Sequence, residues 1–393
     1  MKQLMSTGVL ELKEIIRKAA QEKIEPLVID ADRDAKYPKQ VFDFFQSIGL
    51  YQLFDAVLNG DVKESFLRIV VAAEELSAIC AGFSSLYTVH ALGFLPFAKY
   101  IGSDRQDQRH PMLKNYADGS RLFGYVSSGV DSLSVPAQNS ESTELRKHER
   151  PSYTANGRGD YVLSGTIPRV LLGEKASAVI VFAYKNPSNT DDPGTAFLIE
   201  TEGEGVEFRE PSQSLEMGIR ALPVCPLKLD ACSVPAENVI GGENQGKKVQ
   251  EYTMSLARFL ASAQAVGVIR NAFEHARQYS KKREQFGVNI SSFQAIEDML
   301  INMQVSLDAG KSMLYYNLDD MHDNTEHAVF SSAQVKLYTT EAAMKAATDA
   351  VQIYGGYGYM RDFPVEKLMR DAKMLQVLFG FPHHLRRLLT QRL

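Results

Sequence analysis

The residues best suited to chemistry sit in a basic run and a glycine-rich turn. Lys281-Lys282-Arg283 leads into Glu284-Gln285-Phe286-Gly287 and then Phe293-Gln294; further on comes Gln352-Ile353-Tyr354-Gly355-Gly356-Tyr357-Gly358. A guanidinium grips a pyrophosphate bidentately, so an Arg near a helix end, followed by Gly287, can be aimed at one across an interface. Gly355 and Gly356 let backbone approach a ligand or a neighbouring chain closely, and Gln352 supplies amide donors and an acceptor. Each also has a plainer reading, with Arg283 as a solvated member of its basic run and the Gly pair as a helix terminator.

Groups of this kind need rigid elements behind them. Met254, Ala257, Ala261, Ala265, Val268, Ala272, Ala276 and Tyr279 step by three or four, which predicts a long helix with small residues on its buried stripe. A second helix is expected from Phe293, after Ser291 and Ser292, and a third from about Ala328 to Ile353. Such helices suit an antiparallel bundle. Toward the N-terminus, helical stripes run from Leu10 to Ala20 and from Phe66 to Leu86, and Pro38 to Ile48 reads as a helix closed by Gly49. Between Phe123 and Cys232, short runs such as Ser177 to Tyr184 and Thr195 to Glu200 alternate with turn signals, as strands do.

Composition narrows the function classes. The 393 residues are 45% hydrophobic and 23% charged, with a formal charge of −5, which suits a globular protein and offers no footprint for nucleic acid. Cys80, Cys225 and Cys232 lack the paired spacing of a zinc site and cannot all pair within one chain. Reduced thiols, no metal and a cytoplasmic location are therefore expected. The first ten residues hold no apolar signal core, and no uninterrupted apolar run reaches the roughly 18 residues of a membrane span.

With Phe363-Pro364-Val365-Glu366-Lys367 and Met369-Arg370-Asp371-Ala372-Lys373, the segments quoted above resemble the C-terminal signature of the acyl-CoA dehydrogenases. Val234-Pro235-Ala236-Glu237-Asn238-Val239 resembles that family's passage from β domain to bundle, and Glu25-Pro26 through Pro38 and Gly49-Leu50 resemble its first helices. The resemblance implies an α+β multi-domain fold: an N-terminal helical domain (1–120), a middle antiparallel β domain (121–235) and a C-terminal four-helix bundle (236–393). It also implies FAD shared at a subunit interface, with Arg283, Phe286, Gln294, Gln352, Gly355 and Gly356 touching the cofactor of an adjacent subunit.

The family removes an α-proton from an acyl-CoA thioester with a carboxylate while hydride leaves for the flavin. Against that pattern, Phe379 stands where the usual Glu would be, and Ala257, just before Arg258, stands at the alternative base position. Glu251 and Asp371 are the nearest displaced candidates, each about two helical turns away. Tyr125 to Leu133 replaces the usual flavin-binding run, and Arg169 and Leu171 replace an indole and a hydroxyl expected at the ring.

What the chain would lend a neighbour is kept, and what it would use itself is lost. The resemblance therefore implies a non-catalytic subunit of a heterotetrameric acyl-CoA dehydrogenase, partnered by a catalytic subunit, with an electron-transfer flavoprotein as the family's usual acceptor. A homotetrameric flavoenzyme with a relocated base or a non-dehydrogenating reaction, and a non-enzymatic scaffold, are the alternatives.

Overall fold

The computed structural model describes residues 6–100, 113–126, 150–156, 159–189, 191–209, 216–323 and 325–393. Six helices lead: α1 (Thr7–Lys23), α2 (Val28–Asp34), α3 (Lys39–Ser47), α4 (Gln52–Leu58), α5 (Val62–Ser77) and α6 (Ala81–Tyr100). The α1 stripe buries Val9, Ile16 and Ala20, as its spacing predicts. Pro38 directly precedes α3, and Gly49 turns the chain after it at φ +73°.

The stripe from Phe66 to Leu86 is divided between two helices rather than forming one. The chain breaks at Ala78–Cys80, and Ser84 donates its hydroxyl back to the Ala73 carbonyl across the break. Every residue of α6 from Ala81 to Phe97 is buried, so apolar spacing carries no mark of the break.

The middle of the chain forms β1 (Phe123–Val126), β2 (Ser152–Ala155), β3 (Tyr161–Leu171), β4 (Ala178–Ala183), β5 (Thr195–Glu200), β6 (Val206–Phe208), β7 (Val224–Val234) and β8 (Val239–Ile240). They join one eight-stranded sheet in the order β6-β7-β3-β1-β4-β5-β8, with β2 also on β3. The sheet is mixed, which corrects the all-antiparallel expectation: β1 lies antiparallel to β3 but parallel to β4. Leu172 and Gly173, both at positive φ, reverse the chain between β3 and β4, and β1 slots between those two strands. A strand flanked by two neighbours of opposite direction must be parallel to one of them.

Strand alternation gives the sheet two apolar faces. Val179, Val181 and Phe197 belong to the β core, whereas Tyr125, Leu171, Ile180 and Leu198 face the core built with the helices.

The C-terminal bundle comprises α7 (Gly246–Lys282), α8 (Gln294–Tyr316), the short α9 (Asp320–Asp323), α10 (Thr325–Tyr354), α11 (Val365–Val377) and α12 (Pro382–Leu389). Between α7 and α8, β9 (Glu284–Gln285) and β10 (Val288–Asn289) form a small hairpin. Helix α7 is the axle of the molecule: buried without interruption from Tyr252 to Ala272, it packs on α5, α6, α8, α10 and α11. Its small residues let so many neighbours approach. Among the described residues, no helix is long and apolar enough to cross a membrane.

Candidate functional site

Two regions matter, and they contrast. At one end of the bundle, α7 stops at Lys282 and Arg283 leaves in extended conformation, held by the Ile290 amide donating to the Arg283 carbonyl at 2.8 Å. Phe286 and Gly287 turn the hairpin, both at positive φ (+54° and +79°), the conformation a tight two-residue loop requires. Phe286 projects its ring into solvent at 93% exposure, edge-to-face with Phe293, the residue that precedes α8, at 6.3 Å between ring centroids. Gln294 opens α8 and is exposed.

The glycine-rich turn ends α10 beside this hairpin. Tyr354 stacks on Tyr279 of α7 with centroids 4.0 Å apart, pinning the two helix ends together. Gly355, at φ +61°, breaks the helix, and Tyr357 then lies against Phe363 at 5.1 Å and beneath the Arg283 guanidinium at 5.8 Å. The structure thus brings Arg283 to the glycine turn, with Gln352 exposed on the last turn of α10.

The chemistry of this end is unspent. Among the described residues, Arg283 meets no carboxylate, and the side-chain amides of Gln294 and Gln352 have no hydrogen-bond partner. A Cβ at Gly356 would meet nothing within 4 Å, and its φ is not left-handed, so nothing among the described residues requires glycine there. Tyr357 is the member of this group that motif spacing did not single out, although it lies inside the quoted turn.

The second region surrounds Phe379 and Ala257, the two positions at which the family resemblance places a base. Phe379 follows α11 at φ +59° and is only 6% exposed, with its ring edge-on to Tyr125 of β1 at 5.6 Å. Leu171, paired with Tyr125 across the strands, is fully buried in the same apolar cluster, as is Ala257 on α7. Arg169 is tied to Glu216 at 2.8 Å. Of the run from Tyr125 to Leu133, Ser127 to Leu133 lies outside the described residues.

Buried cations hold the Phe379 turn from behind. Arg258 donates to the Phe379 carbonyl (3.4 Å) and the Val329 carbonyl (3.3 Å), while Lys336 donates to the Gly380 carbonyl (2.8 Å) and the Gln376 carbonyl (3.3 Å). Burial, then repulsion from Arg258, pushes the Lys336 amine well below the usual lysine range. Lys336 escaped the sequence reading because a lone Lys in a helical stripe looks like a solvated one.

Neither displaced carboxylate stands ready as a base. Asp371 is fully buried and spent on structure, accepting the Ile219 amide at 2.6 Å with one oxygen and pairing with Lys367 through the other. Glu251 is exposed to solvent on α7.

The comparisons with known proteins agree on the ancestry of this geometry. The family description "Acyl-CoA dehydrogenase, N-terminal domain" matches residues 9–120, and "Acyl-CoA dehydrogenase, C-terminal domain" matches residues 244–393. The chain belongs to the acyl-CoA dehydrogenase family. It is 29% identical over 370 residues to an acyl-CoA dehydrogenase of Bacillus subtilis, covering 94% of this chain and 93% of that one. The solved butyryl-CoA dehydrogenase from Megasphaera elsdenii superposes with a TM-score of 0.87 at 26% identity, over 99% of this chain and 98% of the other. A glutaryl-CoA dehydrogenase from Mycobacterium smegmatis, solved in complex with FADH2, shares the fold at a TM-score of 0.82 and 20% identity, over 100% of this chain and 96% of that one. Membership of this acyl-CoA dehydrogenase family is consistent with FAD-dependent dehydrogenation.

Proposed function

We propose that this chain is the non-catalytic subunit of a heteromeric acyl-CoA dehydrogenase, completing FAD sites whose base and ring-binding groups belong to a catalytic partner. The observation that carries this is the contrast between the two regions. Among the described residues, Arg283 meets no carboxylate and the side-chain amides of Gln294 and Gln352 have no hydrogen-bond partner beside the exposed Gly356, while Phe379, Tyr125 and Leu171 are packed together at the positions to which the family resemblance assigns the flavin ring and base.

The donor set fits a dinucleotide. An uncommitted guanidinium suits the diphosphate, two side-chain amides suit polar edges, and a glycine lets backbone approach. Tyr357 steadies the guanidinium by a cation–π contact. FAD bound there would supply hydride acceptance. This chain's residues contribute only binding and orientation, and the partner's carboxylate removes the α-proton of the acyl-CoA. The exposed Phe286 (93%), Tyr359 (84%), Ile301 (63%) and Val305 (60%) support coverage of this part of the surface by another subunit. An electron-transfer flavoprotein is the proposed acceptor for the complex.

The reading is tested by Arg283→Met in the co-expressed complex. The variant should assemble and keep its helical content yet bind FAD at least about tenfold more weakly, the scale of a lost charge-assisted contact. Unchanged FAD affinity would show that the guanidinium does not grip the cofactor.

A further inference from the structure

The contacts around Arg283 close into a ring. Its backbone amide donates to the Tyr279 carbonyl at 2.9 Å, and the Tyr279 ring stacks on Tyr354. Tyr354 in turn meets Phe363 at 6.0 Å between centroids and 67° between planes, Phe363 lies against Tyr357, and Tyr357 faces the Arg283 guanidinium. The end of α7, the end of α10 and the residues before α11 all take part, and Phe363 is the side chain that touches both tyrosines of the glycine turn.

Phe363 is also the best anchored of these groups on its own backbone. Its amide donates to the Met360 carbonyl at 3.1 Å, and the Met360 amide donates to the Tyr357 carbonyl at 3.1 Å, so consecutive turns tether it to the glycine-rich segment. Pro364 narrows the backbone conformations open to it, and Val365 beyond is fully buried. Tyr357, by contrast, is 49% exposed, so its ring depends on Phe363 for a fixed orientation. An arginine side chain loses rotamer freedom when it grips an anion, and that cost falls when a neighbour already holds it in place.

We infer that Phe363 is a positioning residue for the lent cofactor site, acting through Tyr357 to hold the Arg283 guanidinium over the glycine turn. The inference rests on the proposed role of Arg283 at FAD. It adds a residue that touches no cofactor itself yet sets how tightly one is held.

The test is a double-substitution cycle read as the FAD affinity of the co-expressed complex. Phe363→Leu should weaken FAD by about fivefold in the parent complex, but by less than about twofold in a complex already carrying Arg283→Met, because both changes act on the same contact. Phe363→Tyr, which keeps the ring, should bind FAD as the parent does. Tyr357→Leu, at a half-exposed position, should reproduce the Phe363→Leu result with little packing loss. A purely structural role for Phe363 would lower affinity equally in both backgrounds. That result, or unchanged affinity in Phe363→Leu and Tyr357→Leu beside a weakened Arg283→Met, would overturn the positioning role alone. No effect of Arg283→Met would instead remove the cofactor grip on which it rests.

Discussion

On the proposed reading Phe379 limits what this chain does by itself, because a phenyl ring cannot take a proton from a thioester's α-carbon. Restoring the carboxylate is not enough. Phe379→Glu would place an acid against Tyr125 in an apolar cluster that also buries Leu171, so the variant should lose stability and still show no acyl-CoA oxidation when purified alone. Turnover by that variant without a partner would mean that the ring site is intact. Lys336 offers a second test at this scale. Lys336→Glu puts a carboxylate beside the carbonyls of Gln376 and Gly380 and the buried chain around them, which should cost at least ~4 kcal/mol in urea unfolding. A loss under ~1 kcal/mol would show that the clamp is dispensable.

At the scale of elements, a buried ionic cluster ties four helices together. Glu74 and Glu75 on α5 meet Lys13 of α1, Arg270 of α7 and Lys311 of α8, and Tyr315 of α8 donates its hydroxyl to Glu74 at 2.5 Å. Burial alone would raise the Glu74 carboxyl, but Lys13, Lys311, Arg270 and the Tyr315 hydroxyl outweigh it and hold it at about 2, against an ordinary 4.5. The sign follows from that depression. The folded state binds the proton less readily than the unfolded state, so the stabilisation is complete above pH 4.5 and is lost as pH falls through about 2. Glu74→Gln should therefore melt below the parent at pH 7, with the gap closing as pH approaches 2; a gap independent of pH would remove Glu74 from the account.

The same scale shows what the sequence made legible. Long helices with regular small-residue stripes, such as α7, and the order of the Arg283 and Gly355 motifs were readable because both are local patterns. The parallel pairing of β1 with β4 was not, since it depends on which strand slips between two others far along the chain. Nor was the fate of Asp371, whose amide partner Ile219 lies 152 residues away. The break at Ala78–Cys80 was hidden because a helix buried on all sides has no apolar face to interrupt. The Arg283 hairpin and the glycine turn were legible as local motifs, whereas the packing of Phe379 against Tyr125 needed the tertiary structure.

For the whole molecule, the proposed function divides one enzyme's work between two polypeptides, with this chain orienting a flavin that it would not use and a partner carrying the ring contacts and the base. The most direct test is the visible flavin spectrum of the chain purified alone, set beside the same chain co-purified with its catalytic partner. The account predicts a colourless chain alone and about one FAD per heterodimer in the complex. A yellow chain alone, with a full complement of FAD per subunit and oxidation of an acyl-CoA, would contradict it.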